Sequence, residues 1–179
     1  VLVDEVLALL RESSGPQQLK VTRFDLAELL RDLVETVNYE IADDGVSIEL
    51  VSQPPLPLEA DRDLVWRVFE NLLRNALMHG GSSVSVHASV EPAGSEIVVN
   101  VRDSGPGIAD HHLARIFEPF YRVDEARTRT DRGQSTGHGL GLAIAASAVR
   151  RHGGRISAHN RPGGGLEVRV VLPGQRSGA

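Results

Sequence analysis

The sequence has no cysteine, one lysine and few aromatic residues, which make up 4% of its 179 residues. Without cysteine there is no disulfide framework, no thiolate zinc site and no thiol nucleophile. With so few aromatic side chains, we expect a core built mainly of Val, Leu, Ile and Ala. No apolar run approaches the roughly 20 residues that span a bilayer, and the start, VLVDEVLALL, carries acids where a secretory signal carries bases. The sequence therefore predicts a soluble domain.

The overall balance of residues is that of an ordinary globular protein, with 41% hydrophobic and 24% charged residues. The length suits one well-buried domain and is short for two. The formal charge of −5 is unfavourable for a protein that binds nucleic acid, because a phosphate-backbone binder needs a basic face. We therefore expect one main domain and no nucleic-acid partner.

Helices and strands alternate along the chain. Residues 1–15 have apolar residues at helical spacing before a Ser-Ser-Gly-Pro stop, which predicts the last turns of a longer helix. The elements predicted next are a strand in LKVTRF, a helix from about Asp25 to Ile41, a strand in VSIEL, a brief strand ending SQPPLPLEA, a helix from about Asp61 to His79, paired strands in SSVSVHASV and EIVVNVRD, a helix in GLGLAIAASAVRRHGG, and paired strands in RISAHN and LEVRVVLP. This order favours a mixed sheet with helices on one face, an α/β sandwich.

Residues 108–137 lack a regular pattern and are long for a structureless connection. They carry an aromatic patch at Phe117, Phe120 and Tyr121, and loops of this length are often functional lids. The basic residues of this segment either neutralise phosphates or form a solvated surface; they are Arg122, Arg127, Arg129 and Arg132.

The helix predicted to end near His79 carries two asparagines in its interior. Asn71, Asn75 and His79 lie at i, i+4 and i+8 and therefore share a face. Asparagine is a poor interior helix former because its amide competes for backbone hydrogen bonds. Its amide oxygen suits Mg²⁺, which takes one or two protein oxygens and completes its shell with water and substrate phosphates. Without other signals, such a pair is more often simply solvent-facing.

A second motif, VRDSGPGI, ends a predicted strand at Asp103 and continues with Gly105 and Gly107. A carboxylate at a strand end accepts hydrogen bonds from a ligand amine, and an adenine amino group fits this role. Flanking glycines let a flat ligand approach the backbone closely. The alternative interpretation is an ordinary Asp-Ser-Gly turn.

A third motif, GHGLGLAIAASAVRR, places Gly137, Gly139 and Gly141 at the start of a helix. Backbone N–H groups and the helix dipole make such a start an anion site for phosphates. The spacing does not match a dinucleotide fingerprint, and no GxxxxGK[ST] loop exists because the only lysine is Lys20. Both familiar phosphate-binding folds are therefore disfavoured.

Taken in order, these motifs resemble those of a known family. The stretches ENLLRNALMHG, DSGPGI, IFEPFYRVD, GHGLGLAIA and GGGLEVRVVLP resemble the N box, first glycine box, F box, second glycine box and last glycine turn of histidine-kinase catalytic domains. The resemblance covers roughly Leu19 to Pro173, and chance agreement across so many ordered motifs is improbable. The upstream stretch LVDEVLALLRES also resembles the end of the second helix of that family's dimerisation and phosphoacceptor hairpin.

The resemblance implies the Bergerat ATP-binding fold. This is an α+β, two-layer sandwich in which a mixed, mostly antiparallel sheet of about five strands is covered on one face by three helices, with a long mobile ATP lid at about 108–137. Residues 1–15 would be the truncated end of the hairpin, and residues 16–179 the catalytic domain.

The resemblance also assigns roles to individual residues. Asp103 would bind the adenine amino group, Asn75 would coordinate Mg²⁺, and Asn71 would line the phosphate side, the two asparagines forming the catalytic pair. Phe117 and Phe120 would anchor the lid, or serve simply as core aromatics. The full set of residues expected around ATP is Asn71, Asn75, His79, Asp103, Gly105, Gly107, Ile108, Arg122, Arg132, Gly137, His138, Gly139, Leu140, Gly141 and Leu142.

Two features depart from the family pattern. Met78 and His79 stand where the family often has a lysine and an aromatic residue, so His79 or the lid arginines are expected to supply the missing phosphate contact. No histidine of the chain is followed by an acidic residue, as a phosphoacceptor histidine would be. The expected acceptor is therefore a histidine on the missing hairpin.

By resemblance, the γ-phosphoryl of Mg-ATP would pass to that histidine and then to an Asp of a cognate response regulator. The same resemblance implies a cytoplasmic domain of a homodimeric kinase that is anchored in the cell membrane.

Two other functions compete with this one. A Bergerat-fold ATPase of the chaperone or topoisomerase kind places a glutamate base where this chain has Asn71, and Glu70 is one residue away. At about 100° per residue, that offset turns Glu70 to another face of the helix. A related serine kinase shares the glycine boxes but usually lacks the F box. The remaining alternative is an ATP-binding module without catalysis.

Overall fold

A computed structural model describes residues 18–42, 45–52, 55–80, 83–90, 96–123 and 139–174. The helix end predicted at residues 1–15 lies outside these ranges. In the described part, β-strands form one five-stranded and one two-stranded sheet. The strands are β1 (Val21–Asp25), β2 (Ser47–Ser52), β3 (Pro57–Asp61), β4 (Ser83–Val90), β5 (Glu96–Asp103), β6 (Arg155–Asn160) and β7 (Leu166–Pro173).

The larger sheet has the strand order β2-β4-β5-β7-β6. The two hairpins predicted from the sequence, β4 with β5 and β6 with β7, are both antiparallel. The β5–β7 pair is also antiparallel, whereas β2 runs parallel to β4. The mixed, mostly antiparallel five-stranded sheet is therefore confirmed. The separate pair of β1 and β3 was not predicted.

Three α-helices lie in the described ranges: α1 (Leu26–Glu40), α2 (Arg62–His79) and α3 (Gly141–Arg151). Asp25 caps α1 by accepting a hydrogen bond from Ala27 N at 2.8 Å. Asp61 caps α2 in the same way, accepting from Leu64 N at 3.2 Å. Both caps satisfy N–H groups that have no partner within the helix. The sequence therefore located the starts of these helices correctly to within a residue.

The core lies between the three helices and one face of the larger sheet. In β5, alternate residues Ile97, Val99 and Val101 are 0–3% exposed and belong to the same apolar cluster as the buried side of α2. This alternation follows from the two-residue period of a strand. The edge of this layer, where β5 ends and α2 ends, carries the predicted site.

The first part of the predicted lid contains two short 3₁₀ turns, Asp110–His112 and Arg115–Phe117. Phe117 packs against the core, but Phe120 is 63% exposed and has a positive φ of 64°. The interpretation of Phe120 as a core aromatic is therefore wrong. Its backbone is instead fixed by a hydrogen bond from Phe120 N to Gly139 O at 2.9 Å, which links the first part of the predicted lid to the residues just before α3.

Candidate nucleotide-binding site

Asn71 and Asn75 are both partly exposed on α2, and Asn71 faces the start of α3. A Cβ on Gly141, the first residue of α3, would lie 3.4 Å from Oδ1 of Asn71. The Asn71 amide is thus placed beside the helix N-terminus that was predicted to bind phosphates. Asn75 is one turn further along the same face.

Glu70 points to a different neighbour. Its Oε1 lies 3.1 Å from Nη2 of Arg74, and the same guanidinium group lies 3.2 Å from Glu40 on α1. Although partial burial lowers the pKa of Arg74, the hydrogen bonds and charges of Glu70 and Glu40 raise it overall above the ordinary value. Glu70 is therefore engaged in an ion-pair network toward α1, away from Gly141.

Asp103 ends β5 with a buried side chain that is 8% exposed. Its Oδ1 accepts hydrogen bonds from Gly105 N at 2.9 Å and Leu166 N at 3.1 Å. Its main-chain oxygen accepts a third, from Nη1 of Arg161 at 2.8 Å. None of these three bonds uses Oδ2. A carboxylate held in this way keeps one oxygen oriented for a donor from outside the chain.

Glycines allow the backbone to close around Asp103. A Cβ on Gly80 would collide with the Asp103 side chain, and one on Gly165 would collide with the Asp103 carbonyl oxygen. A Cβ on Gly105 would lie 2.6 Å from the carbonyl oxygen of His79, at the end of α2. The three glycines therefore bring β5, α2 and the β6–β7 turn into contact at this carboxylate.

His79 joins this group at the C-terminal end of α2. Partial burial and the charge of Arg122 lower the pKa of His79, while the charge of Asp103 acts in the opposite direction. These interactions bring together one predicted residue from the N box, one from the first glycine box and one from the lid. The positive charge of Arg122 beside His79 favours the approach of an anionic ligand group.

The second glycine box lies where the lid returns to the core. Gly139 has φ of +70°, and a Cβ there would lie 2.9 Å from the carbonyl oxygen of Tyr121. Leu140 is fully buried, and its main-chain oxygen accepts a hydrogen bond from Ile144 N at 2.9 Å. No side chain caps the start of α3 at Gly141. The first N–H groups of this helix are therefore suited to an anion.

Five other predicted site residues fall into two groups. Arg132, Gly137 and His138 lie outside the described ranges. Ile108 and Leu142 are partly buried and pack against the core. In the described part of the chain, His, Asp and Glu side chains form no group of three that could hold a metal ion. The assignment of the Asn75 amide oxygen as the Mg²⁺ ligand stays a prediction.

Sequence reasoning missed the support given by the β6–β7 turn. Arg161 and Leu166 hold Asp103, while Asn160 binds both main-chain polar groups of Ile108. The only signal for these contacts was the last glycine turn itself, whose Gly163, Gly164 and Gly165 all have positive φ.

With this geometry in place, comparison with known proteins identifies the class. Residues 60–176 match the family described as histidine kinase-, DNA gyrase B- and HSP90-like ATPases. The chain belongs to this family. In the described ranges, no helix is long and apolar enough to cross a membrane.

Individual relatives of known sequence or structure show the same similarity. The chain is 35% identical over 175 residues to a probable sensor histidine kinase of Mycobacterium tuberculosis (strain CDC 1551 / Oshkosh), covering 98% of this chain and 43% of that protein. It resembles the structure of full-length ShkA in complex with AMPPNP, with a TM-score of 0.81 and 28% identity over 99% of this chain and 36% of that one.

The histidine kinase ThkA, solved in complex with the response regulator protein TrrA, gives a TM-score of 0.78 and 25% identity over 97% of this chain and 47% of that chain. The chain spans only 28–44% of the length of the first curated relatives that match nearly the whole of it.

Proposed function

We propose that this chain is the ATP-binding catalytic domain of a sensor histidine kinase, which transfers the γ-phosphoryl group of Mg-ATP to a histidine on a separate helical hairpin. The observation that carries the proposal is the neutral Asn71 amide beside Gly141, together with the engagement of Glu70 by Arg74 at 3.1 Å. A hydrolase needs a carboxylate base at the Asn71 position, and Glu70 is directed elsewhere.

Different residues of the chain bind different parts of ATP. Asp103 accepts a hydrogen bond from the adenine amino group, while the first N–H groups of α3 and the Arg122 side chain bind phosphate oxygens. Asn71 lines the phosphates without removing a proton from water. Phosphoryl transfer depends on positioning and charge stabilisation more than on covalent participation by the enzyme.

Magnesium fits the donor chemistry of the site. Mg²⁺ is usually held by one or two protein oxygens, with water and substrate phosphates completing its shell, and the Asn75 amide oxygen is a suitable hard ligand. When bound, the ion neutralises charge on the transferring phosphoryl group. Asn75 holds the ion, and Asn71 and His79 occupy the neighbouring turns of the same helix face.

The proposed partners follow from this reaction. They are ATP, the phosphoacceptor hairpin of the same kinase, and a cognate response regulator that receives the phosphoryl group on an Asp. The complexes of ShkA with AMPPNP and of ThkA with TrrA support the first and last of these by similarity. The full-length kinase is proposed to be a homodimer anchored in the membrane, with this domain in the cytoplasm, where ATP is available.

The competing ATPase function is tested by phosphate release. The purified chain with Mg-ATP is expected to release phosphate no faster than an Asn75→Ala control. An Asn71→Glu variant is expected to release it steadily, because the substitution puts a carboxylate base where hydrolases of this family keep one. Steady release by the unaltered chain, lost in the Asn75→Ala control, would show that it is a hydrolase.

A further inference from the structure

The side-chain amide of Asn160, the last residue of β6, forms three hydrogen bonds with the start of the predicted lid. Its Oδ1 accepts from Ile108 N at 3.0 Å, and its Nδ2 donates to Ile108 O at 2.7 Å. Nδ2 also donates to Oδ1 of Asp110 at 3.1 Å. The amide therefore pairs with Ile108 as a neighbouring strand would, although the two residues are 52 positions apart.

Gly107 shows that this contact shapes the loop. Its φ is +72°, a conformation that L side chains rarely adopt, and a Cβ there would lie 2.6 Å from Oδ1 of Asn160. The atom that occupies the space beside this glycine thus belongs to Asn160. A residue with a side chain at position 107 and an asparagine at position 160 are incompatible in this arrangement.

The loop from Asp103 to Ile108 is held at both ends by one turn. Leu166 N and the Arg161 guanidinium group fix Asp103 at its start, and Asn160 fixes Ile108 at its end. A displacement of Ile108 moves this short loop, and with it the backbone that adjoins the Asp103 carboxylate.

We propose that Asn160 is a positioning residue of the nucleotide site, acting through the main chain of Ile108 and not through contact with the nucleotide. This inference rests on the proposed function. The Asn160 side chain is exposed, so its removal opens no cavity in the core. Its loss therefore affects the geometry of the loop more than the stability of the domain.

The chain contains a matched control. Asn38, in α1, makes the same pair of hydrogen bonds with Ile48 of β2: Nδ2 donates to Ile48 O at 2.9 Å, and Oδ1 accepts from Ile48 N at 2.9 Å. No predicted site residue lies on either of these elements. Removing each amide in turn separates a general effect of losing such a pair from an effect on the nucleotide site.

The experiment measures the Kd of ADP by calorimetry and the thermal midpoint for the unaltered chain, Asn160→Ala and Asn38→Ala. We expect Asn160→Ala to raise the Kd about tenfold, since two hydrogen bonds that orient the loop are lost. Asn38→Ala is expected to leave the Kd within about twofold while lowering the thermal midpoint at least as much. Equal Kd values for the two variants would overturn the positioning role.

A rescue pair adds a readout that general destabilisation does not produce. Asn160→Asp keeps an acceptor for Ile108 N but places a second carboxylate beside Asp110, so it is expected to weaken ADP binding. Adding Asp110→Asn returns an amide donor to the pair and is expected to recover at least half of the lost binding free energy.

The two proposals fail in distinguishable ways. If the rescue pair binds ADP no better than Asn160→Asp alone, the positioning role is wrong while the proposed function stands. If the unaltered chain binds neither ADP nor ATP, the proposed function is wrong, and the role of Asn160 is overturned with it.

Discussion

The substitution Asp103→Asn separates base recognition from folding. Oδ1 of Asp103 accepts two main-chain hydrogen bonds, from Gly105 N and Leu166 N, and an amide oxygen can accept both. The substitution therefore preserves these bonds and changes only the second atom, from an acceptor to a donor. It reverses the hydrogen-bond character that the adenine amino group requires.

The magnitudes follow from the same contacts. A hydrogen bond to a charged group contributes about 1.5–3 kcal/mol, so losing it weakens ATP binding about 10- to 100-fold at about 1.4 kcal/mol per factor of ten. Asp103→Ala instead leaves the buried Leu166 N–H and the partly buried Gly105 N–H without an acceptor, at about 1–3 kcal/mol each. That total of about 2–6 kcal/mol is a large share of a typical domain stability of about 5–15 kcal/mol.

The assay is calorimetric binding of ATP and of inosine triphosphate, which has a carbonyl in place of the amino group, combined with urea unfolding. Asp103→Asn is expected to remain folded, to lose ATP affinity and to shift its preference toward inosine triphosphate. Asp103→Ala is expected to lower the free energy of unfolding strongly. Unchanged ATP affinity in Asp103→Asn would refute the assignment of this carboxylate as the group that binds the adenine amino group.

Three further predictions concern neighbouring residues. Asn75→Ala is expected to reduce phosphoryl transfer about 10²–10³-fold, as loss of an electrostatic contact to the transition state does. Glu70→Ala removes a partly exposed ion pair worth about 0.3–0.5 kcal/mol and is expected to reduce transfer less than about threefold. The opposite ranking of the two variants would contradict the roles proposed for these residues. His79→Ala is expected to weaken ATP binding, and an unchanged affinity rules out its phosphate contact. The pKa of His79 is lowered from its ordinary value of 6.5 by partial burial and by the charge of Arg122, so the part of the free energy of unfolding that is present above pH 6.5 is lost as the pH falls through the folded pKa. Urea unfolding is expected to show a weaker pH dependence in His79→Ala, and identical pH profiles would contradict the lowered pKa. Gly165→Ala is expected to unfold the domain or to lower its free energy of unfolding by more than the roughly 1–2 kcal/mol that a left-handed backbone conformation alone costs. The reason is that the new Cβ would collide with the Asp103 carbonyl oxygen. An unchanged thermal midpoint would show that the β6–β7 turn adapts to the substitution.

Local features of the fold were predictable from the sequence. The caps at Asp25 and Asp61 follow from side chains that reach N–H groups two or three residues ahead. The hairpins follow from alternating residues on either side of a short connection, as in β6 and β7. In each case, the residues that interact are close in sequence, so a periodic pattern reveals them.

Contacts between distant segments were not predictable in this way. Strand β1 pairs with β3 in a separate small sheet, with Val21 opposite Asp61. Neither strand has a sequence pattern that identifies the strand with which it pairs. The bonds of Asn160 to Ile108 and of Arg161 to Asp103 span 52 and 58 residues. A single polar side chain that binds a remote backbone group leaves no repeating signal in the sequence.

The roles of the glycines illustrate the same limit. The sequence indicated that Gly105 and Gly107 lie beside a ligand, since glycine permits close approach. In the fold, a Cβ added at Gly105 would lie nearest to the carbonyl oxygen of His79, and one added at Gly107 would lie nearest to the amide oxygen of Asn160. Spacing alone identified where the backbone is crowded but not which atoms crowd it.

The most direct test of the central claim uses [γ-³²P]ATP, Mg²⁺, the unaltered chain and a separately prepared phosphoacceptor hairpin from its parent kinase. The proposed function predicts acid-labile, base-stable label on the hairpin, absent when its phosphoacceptor histidine is replaced by glutamine or when Asn75 is replaced by alanine. Label released only as inorganic phosphate, with none on the hairpin, would contradict it.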